Sequence, residues 1–247
     1  MKKYLKYIIL ICLSIIIFKT LTLNNVQKQI YISQYDDVED YSTTFIIQKD
    51  LNKIKKNYLD AYSTNKETLG WIYMENTMNE PIMYTPDNQN KYLRMDNHLN
   101  ESPFGVPFMG KYSYGNFDGN TLLYGHRSNY SKSFGPLIQY ENQESLNDSP
   151  IIICYDGNND MFCFYRIGFL FELVDGDEFI KQKEFASNTQ RKEYNQSLFD
   201  RSILTNETID INYANPMLFL QICKNIDDGF ERRVFAASYL GKVSSYE

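Results

Sequence analysis

The sequence has few of the residues on which metal and nucleic-acid sites depend. It contains 2 histidines, and its 25 basic residues are outnumbered by 31 acidic ones, which gives a net charge of −6 at pH 7. An acidic chain with no basic face and no glycine-rich phosphate loop argues against a nucleic-acid partner. The histidines, His98 and His126, lack metal-ligand spacing to cysteine or acidic residues, so a metal site is not expected.

Internal repeats, low-complexity tracts and a regular alternation of strand with helix are also absent from the sequence. The missing alternation argues against a parallel α/β sheet. The chain is instead rich in aromatic residues, with 21 tyrosines and 16 phenylalanines, in short apolar runs between Asn, Asp, Gly and Ser clusters. Such runs are typical of strands. The strand candidates are residues 71–74, 81–84, 104–109, 121–126, 151–155, 161–174, 217–223 and 233–240.

Helical periodicity is confined to two stretches of the chain. Apolar residues recur at helical spacing over residues 41–62, which predicts one amphipathic helix or two short ones. Residues 183–204 predict a helical insertion before the last two strands. Many short strands with these helices predict a mostly β protein built as a mixed, mostly antiparallel barrel.

The N-terminus has the pattern of a membrane anchor. Three lysines in residues 1–6 precede an apolar stretch that reaches Leu23, about long enough to cross a bilayer. No small-residue cleavage site is evident, so a retained single-pass anchor is expected, with a cytoplasmic N-terminus and an extracellular body. The predicted organisation is an anchor at 1–23, a stalk and helix at 24–64, and a barrel domain at 65–247.

The four cysteines differ in their surroundings. Cys12 lies in the predicted anchor. Cys154 and Cys163 flank a turn signal at residues 156–160, and a turn at its two asparagines would place them opposite each other. They could then form a disulfide in an exported protein, although buried free cysteine is common in strands. Cys223 is left unpaired and is the candidate nucleophile.

Three predicted strand ends carry the groups needed for thiolate acyl transfer. Residues 217–223 end on Cys223, residues 121–126 end on His126, and the last strand begins with an arginine. Cysteine attacks a carbonyl as thiolate, which an imidazolium stabilises before it protonates the leaving amine. His126 is preferred because it ends a strand, whereas His98 lies in a polar, loop-like stretch.

A guanidinium can stabilise the oxyanion of such a reaction because it stays charged and presents a rigid fork of donors. Two adjacent residues, Arg232 and Arg233, compete for this role. Neighbouring residues of a strand point to opposite faces, so only one of them can face the thiol. The pattern alone leaves the choice open.

At these residues the sequence resembles the sortases, cysteine transpeptidases of the Gram-positive cell wall. Leu218-Phe219-Leu220-Gln221-Ile222-Cys223 replaces the family's TLxTC strand, Arg233-Val234-Phe235-Ala236-Ala237 matches its arginine strand, and Tyr124-Gly125-His126 matches its histidine element. The similarity spans roughly residues 65–247 and is greatest to class B. Further matches, in the family's order, are Leu69-Gly70-Trp71-Ile72-Tyr73, Tyr92-Leu93-Arg94, Gly105-Val106-Pro107-Phe108-Met109 and Ser133-Phe134-Gly135-Pro136-Leu137.

The resemblance implies a closed β-barrel of the sortase type and a catalytic set of His126, Cys223 and Arg233. Two positions depart from the family pattern: Ile222 stands where threonine usually precedes the cysteine, and Met95 stands where a histidine is frequent. The first change removes a hydroxyl that we expect near the thiol. Both put substrate preference and rate in question more than the fold.

The function implied by the resemblance is cleavage of a C-terminal sorting motif, of the NPxTG or NPQTN kind, at the threonyl carbonyl. The acyl group would pass through a Cys223 thioester to a cell-wall amine, and no cofactor is implied. The expected partners are surface proteins with a sorting signal, a peptidoglycan precursor amine and, through the N-terminal anchor, the membrane. The alternatives are a pilin-polymerising sortase, whose acceptor is a lysine side chain, and an inactive surface binding protein with the sortase fold.

Overall fold

The protein is described by a computed structural model over residues 48–130, 132–174, 179–182, 184–223 and 231–245. Within these ranges the structure has nine strands and three α-helices. The helices are α1 (Gln48–Thr64), α2 (Gln143–Asn147) and α3 (Asn188–Phe199). The strands are β1 (Thr68–Met74), β2 (Met78–Met83), β3 (Phe108–Met109), β4 (Thr121–Tyr124), β5 (Ile152–Asp156), β6 (Met161–Val174), β7 (Ser202–Thr205), β8 (Met217–Cys223) and β9 (Glu231–Ser244).

Eight of the strands close into a barrel in the order β5-β1-β2-β3-β4-β8-β9-β6, and the pairing of β6 with β5 completes the ring. The pairs β2–β3 and β4–β8 are parallel, and the other neighbours are antiparallel. β7 is added to the outer edge of β6. The predicted mixed, mostly antiparallel closed barrel is therefore confirmed.

The side chains of β8 and β9 alternate between two apolar clusters, as the two-residue period of a strand requires. One cluster fills the barrel interior, and the other lies under α3 on the outer face. The interior members from these two strands are Leu218, Leu220, Ile222, Phe235 and Ala237. The outer members are Met217, Phe219, Val234 and Ala236.

The predicted N-terminal helix is present as α1 within the described residues, while residues 41–47 of the predicted stretch lie outside them. Its apolar residues recur every three or four positions and are buried. The Tyr58 ring packs against Tyr155 of β5, with the ring centroids 4.9 Å apart. The buried residues of α1 are Leu51, Ile54, Tyr58 and Ala61.

The predicted helical insertion is shorter than expected. Its helix, α3, begins after Ser187, whose side chain accepts a hydrogen bond from the Gln190 N–H at 3.1 Å. The prediction was wrong at the end of the stretch, because Ser202–Thr205 forms β7 instead of continuing the helix. Pairing of β7 with β6 outweighs the local helical periodicity there, with Leu170 opposite Leu204.

The predicted single-pass membrane location needs correction. In the ranges that the structure covers, no helix is both long enough and apolar enough to cross a bilayer. The stretch on which the prediction rested, residues 1–23, and the predicted stalk at 24–40 lie outside the described residues.

Cys154 and Cys163 lie directly opposite each other on β5 and β6, as a turn between them predicted. Both side chains are buried in the barrel interior. They are free thiols in this structure, and no disulfide joins them.

Candidate active site

His126 follows β4 by two residues, and Cys223 ends β8, the parallel neighbour of β4. In the register of β4 and β8, Tyr124 is paired with Gln221. The pairing continues one residue beyond β4, where the Gly125 N–H donates to the Gln221 carbonyl at 3.1 Å. Extension of this register by one more residue, beyond the end of β4, would bring His126 level with Cys223.

Cys223 is the last residue of β8 and is a half-buried free thiol. It alternates with interior Ile222, so it belongs to the outer face of the barrel wall. Arg232 of β9 lies directly opposite in the antiparallel register. An Nη1–H of Arg232 points to the Cys223 Sγ at 3.7 Å. A thiol at a strand end, partly exposed and in contact with a guanidinium, has the surroundings of a reactive cysteine.

His126 is half-buried and is held by two hydrogen bonds. Its Nε2 lies 2.7 Å from the Leu93 carbonyl oxygen, and its backbone N–H donates to the Ser133 hydroxyl at 3.2 Å. The bond to a carbonyl requires the proton on Nε2, so Nδ1 of the neutral ring carries the free lone pair. Burial lowers the pKa of His126 below 6.5, the Leu93 bond opposes this shift, and the positive charge of Arg94 adds to it. The resting imidazole is therefore neutral near pH 7.

Gly125 is required by the packing beneath the histidine. A Cβ at this position would lie 2.5 Å from the Cγ and Cδ2 atoms of Phe134, which is fully buried. Two of the sequence segments singled out above, residues 124–126 and 133–137, thus meet through this contact. The absence of a side chain at Gly125 lets the chain pass over the core just before His126.

Arg233 lies next to Arg232 but has different partners. It is paired with Ile222 in the sheet, so the two arginines begin on opposite faces of β9. Its Nη2 donates to Glu172 Oε1 at 2.6 Å, and its Nη1 lies 3.1 Å from Glu141 Oε2. The structure therefore brings Arg232 into contact with the candidate nucleophile and holds Arg233 between two carboxylates.

Comparison with known proteins finds similarity to sortase B proteins. No family model matches the chain. Sortase B of Staphylococcus aureus is 22% identical over 201 residues, which are 81% of this chain and 80% of that protein. Sortase B of Listeria monocytogenes is 22% identical over 183 residues, 71% of this chain and 70% of that protein.

The chain is similar to class B sortases and has their fold. The crystal structure of Staphylococcus aureus sortase B matches it with a TM-score of 0.65 and 19% identity, over 80% of this chain and 96% of that one. The predicted sortase fold is thereby confirmed. The predicted enzyme class agrees with these relatives, both of which are sortases.

Sequence reasoning missed the two carboxylates that hold Arg233. Glu141 also accepts two hydrogen bonds from Arg127, at 2.5 and 3.2 Å. Glu141 ends a 3₁₀ helix, Glu172 lies in β6, and Arg127 directly follows His126. No local pattern marks these glutamates, because they meet the arginines only after the barrel has closed.

The second histidine has no place in this site. His98 is exposed, and its backbone N–H donates to Asp96 Oδ1 at 2.8 Å in a polar turn. Within the described part of the chain, no group of three or more His, Cys, Asp or Glu residues is arranged to hold a metal ion.

Proposed function

We propose that this sortase cleaves a C-terminal sorting motif of a surface protein at its threonyl carbonyl and transfers the acyl group to a cell-wall amine. The observation that supports this best is the half-buried free thiol of Cys223, in contact with a guanidinium and level with His126. The sorting motif of the NPxTG or NPQTN kind follows from the similarity to class B sortases.

The reaction begins with transfer of the Cys223 proton to the neutral ring of His126 as the sulfur attacks the threonyl carbonyl. A C–S bond forms, and the negative charge passes to the carbonyl oxygen, where an arginine of β9 stabilises it. The tetrahedral intermediate expels the amine, which takes its proton from the His126 imidazolium. The peptide C–N bond is then broken, and a thioester remains on Cys223.

The second half of the reaction runs these steps in reverse, with the acceptor amine in place of the released one. The acceptor amine attacks the thioester carbonyl and gives its proton to the His126 imidazole. Collapse of the second intermediate breaks the C–S bond and forms a new amide, and the thiol regains its proton from His126. Cys223 and His126 return to their starting states, so no oxidant, reductant or cofactor is consumed.

The departure at Ile222 weakens this proposal less than the sequence suggested. The Ile222 side chain is buried in the barrel interior, on the face opposite to Cys223. A threonine there would place its hydroxyl toward the interior, away from the face that carries the thiol. The inactive binding protein, which this departure motivated, is therefore the weaker candidate.

The test uses the full chain with fluorogenic peptides of the NPxTG and NPQTN kinds. Triglycine serves as one acceptor amine, because one solved sortase B is a complex with this tripeptide. A lysine derivative with a free side-chain amine serves as the other and tests the pilin-polymerising alternative. We expect cleavage, a ligated product detected by mass spectrometry, and loss of both in Cys223→Ala. Cleavage of neither peptide, together with a Cys223 that does not react with iodoacetamide, would support the binding protein.

A further inference from the structure

Two adjacent arginines follow Glu231 at the start of β9, and they lie in separate environments. Arg232 is opposite Cys223, whereas Arg233 is opposite Ile222. Ile222 is an interior residue and Cys223 is not. The side chains of Arg232 and Arg233 therefore leave the backbone of β9 on opposite faces of the barrel wall. The resemblance to sortases implied that Arg233 is the catalytic cation. In this structure, however, it is Arg232 that lies opposite Cys223.

Arg232 meets the geometric requirement for a group that acts on the reacting atoms. Its Nη1 lies 3.7 Å from the Cys223 Sγ and 3.4 Å from the Glu231 carbonyl oxygen. When the sulfur attacks a carbonyl, the oxyanion forms two bonds away from that sulfur. A planar guanidinium that already contacts the sulfur can reach this oxygen by side-chain rotation, without movement of the strand.

Arg233 is committed to two carboxylates. Glu141 and Glu172 contact different nitrogens of its guanidinium, and its side chain is only 15% exposed. To reach the thiol it would have to give up both of these ion pairs in a partly buried site and cross to the other face of β9. Breaking partly buried ion pairs is costly.

The partners of Arg233 join three parts of the chain. Glu141 bridges Arg233 of β9 to Arg127, the residue that follows His126. Glu172 adds the neighbouring strand β6. This chain of ion pairs ties the start of β9 to the segment that carries the histidine. These ion pairs are therefore suited to fixing the distance between the start of β9 and the segment that carries His126.

We infer that Arg232 is the catalytic guanidinium of this sortase, which stabilises the anionic sulfur and the oxyanion, and that Arg233 is a positioning residue that acts through Glu141. The inference rests on the proposed function, since it assigns roles within the same reaction. It also predicts that the two arginines respond differently to substitution.

The experiment compares four variants of the full chain: Arg232→Ala, Arg232→Lys, Arg233→Ala and Arg201→Ala. The last removes an exposed arginine on the turn before β7 and serves as the matched control. The measurements are kcat and KM for the cleaved sorting peptide, the melting temperature, and the rate at which iodoacetamide alkylates Cys223, followed by peptide mass mapping.

For Arg232→Ala we expect kcat to fall roughly 100-fold or more, as for loss of one oxyanion donor. Its melting temperature should stay near that of Arg201→Ala. Alkylation of Cys223 should slow about threefold, because a contacting cation is removed. Arg232→Lys should regain part of kcat, since it restores the charge without the fork. Arg233→Ala should mainly lower the melting temperature, and addition of Glu141→Ala should cause little further loss.

The opposite pattern would overturn the inference: a large loss of kcat in Arg233→Ala with an unchanged melting temperature, and near-normal kcat in Arg232→Ala. If the unaltered chain cleaves no sorting peptide, the proposed function fails. The alkylation rate of Cys223 still tests whether Arg232 acts on the sulfur. In that case, equal alkylation rates with and without Arg232 would refute a role for its charge at the sulfur.

Discussion

Replacement of Glu141 by glutamine should destabilise this protein more than neutralisation of any exposed charge. Glu141 is 17% exposed and accepts hydrogen bonds or ion pairs from Arg127 and Arg233, which are 14% and 15% exposed. Glutamine keeps the shape of the side chain but removes the negative charge. Two guanidinium groups would then converge on a neutral amide, whose own N–H groups cannot pair with them.

The expected loss of unfolding free energy follows from the burial of the ion pairs that Glu141 forms with Arg127 and Arg233. Removal of one partner from a fully buried ion pair costs about 3–5 kcal/mol. The slight exposure of these side chains and the remaining amide oxygen reduce this, so we expect about 2–3 kcal/mol. For a chain of this size, each kcal/mol lowers the melting temperature by about 2–4 °C. The expected decrease is therefore about 4–12 °C.

The assay is thermal unfolding followed by circular dichroism, with urea unfolding as a second measurement if the transition is reversible. Glu193→Gln is the matched control, because it removes the same charge from an exposed position of α3. It should change the unfolding free energy by no more than about 0.5 kcal/mol. A Glu141→Gln protein that melts within one or two degrees of this control, about the precision of the method, would refute the reasoning.

Three further predictions concern residues around the site and the barrel. Gly125→Ala should lower the free energy of unfolding by about 1–3 kcal/mol, because the added methyl group would overlap Phe134. It should also slow peptide cleavage. A normal melting temperature and a normal cleavage rate would contradict this prediction. Asn206→Ala should cost about 3 kcal/mol in urea unfolding, since the buried amide donates to two backbone carbonyls, at 2.8 and 3.0 Å. Because burial lowers the His126 pKa, the unfolded chain binds more protons just below pH 6.5, so stability falls as pH falls through that window. His126→Gln should lose less melting temperature than the unaltered chain between pH 7.5 and pH 5.5, and equal losses would count against the pKa shift.

The sequence alone determined the class of fold and the main reacting groups of the candidate site. Strands such as β6 and β8 were predicted with their observed bounds, because alternation and turn residues act within a few positions of the chain. Cys223 and His126 stood out for the same local reason, since each follows an apolar run. Only the parallel pairing of β4 with β8 was needed to bring the two strand ends to the same edge of the sheet.

Tertiary structure decided which arginine faces the thiol. A shift of one residue in the pairing of β8 with β9 would exchange the faces of Arg232 and Arg233, and nothing in either segment specifies that register. Closure of the barrel also brought Glu141 and Glu172 to Arg233 from distant parts of the chain. Alternation and turns are local properties that a sequence displays directly, whereas register and ion pairing between distant residues exist only once the strands have assembled.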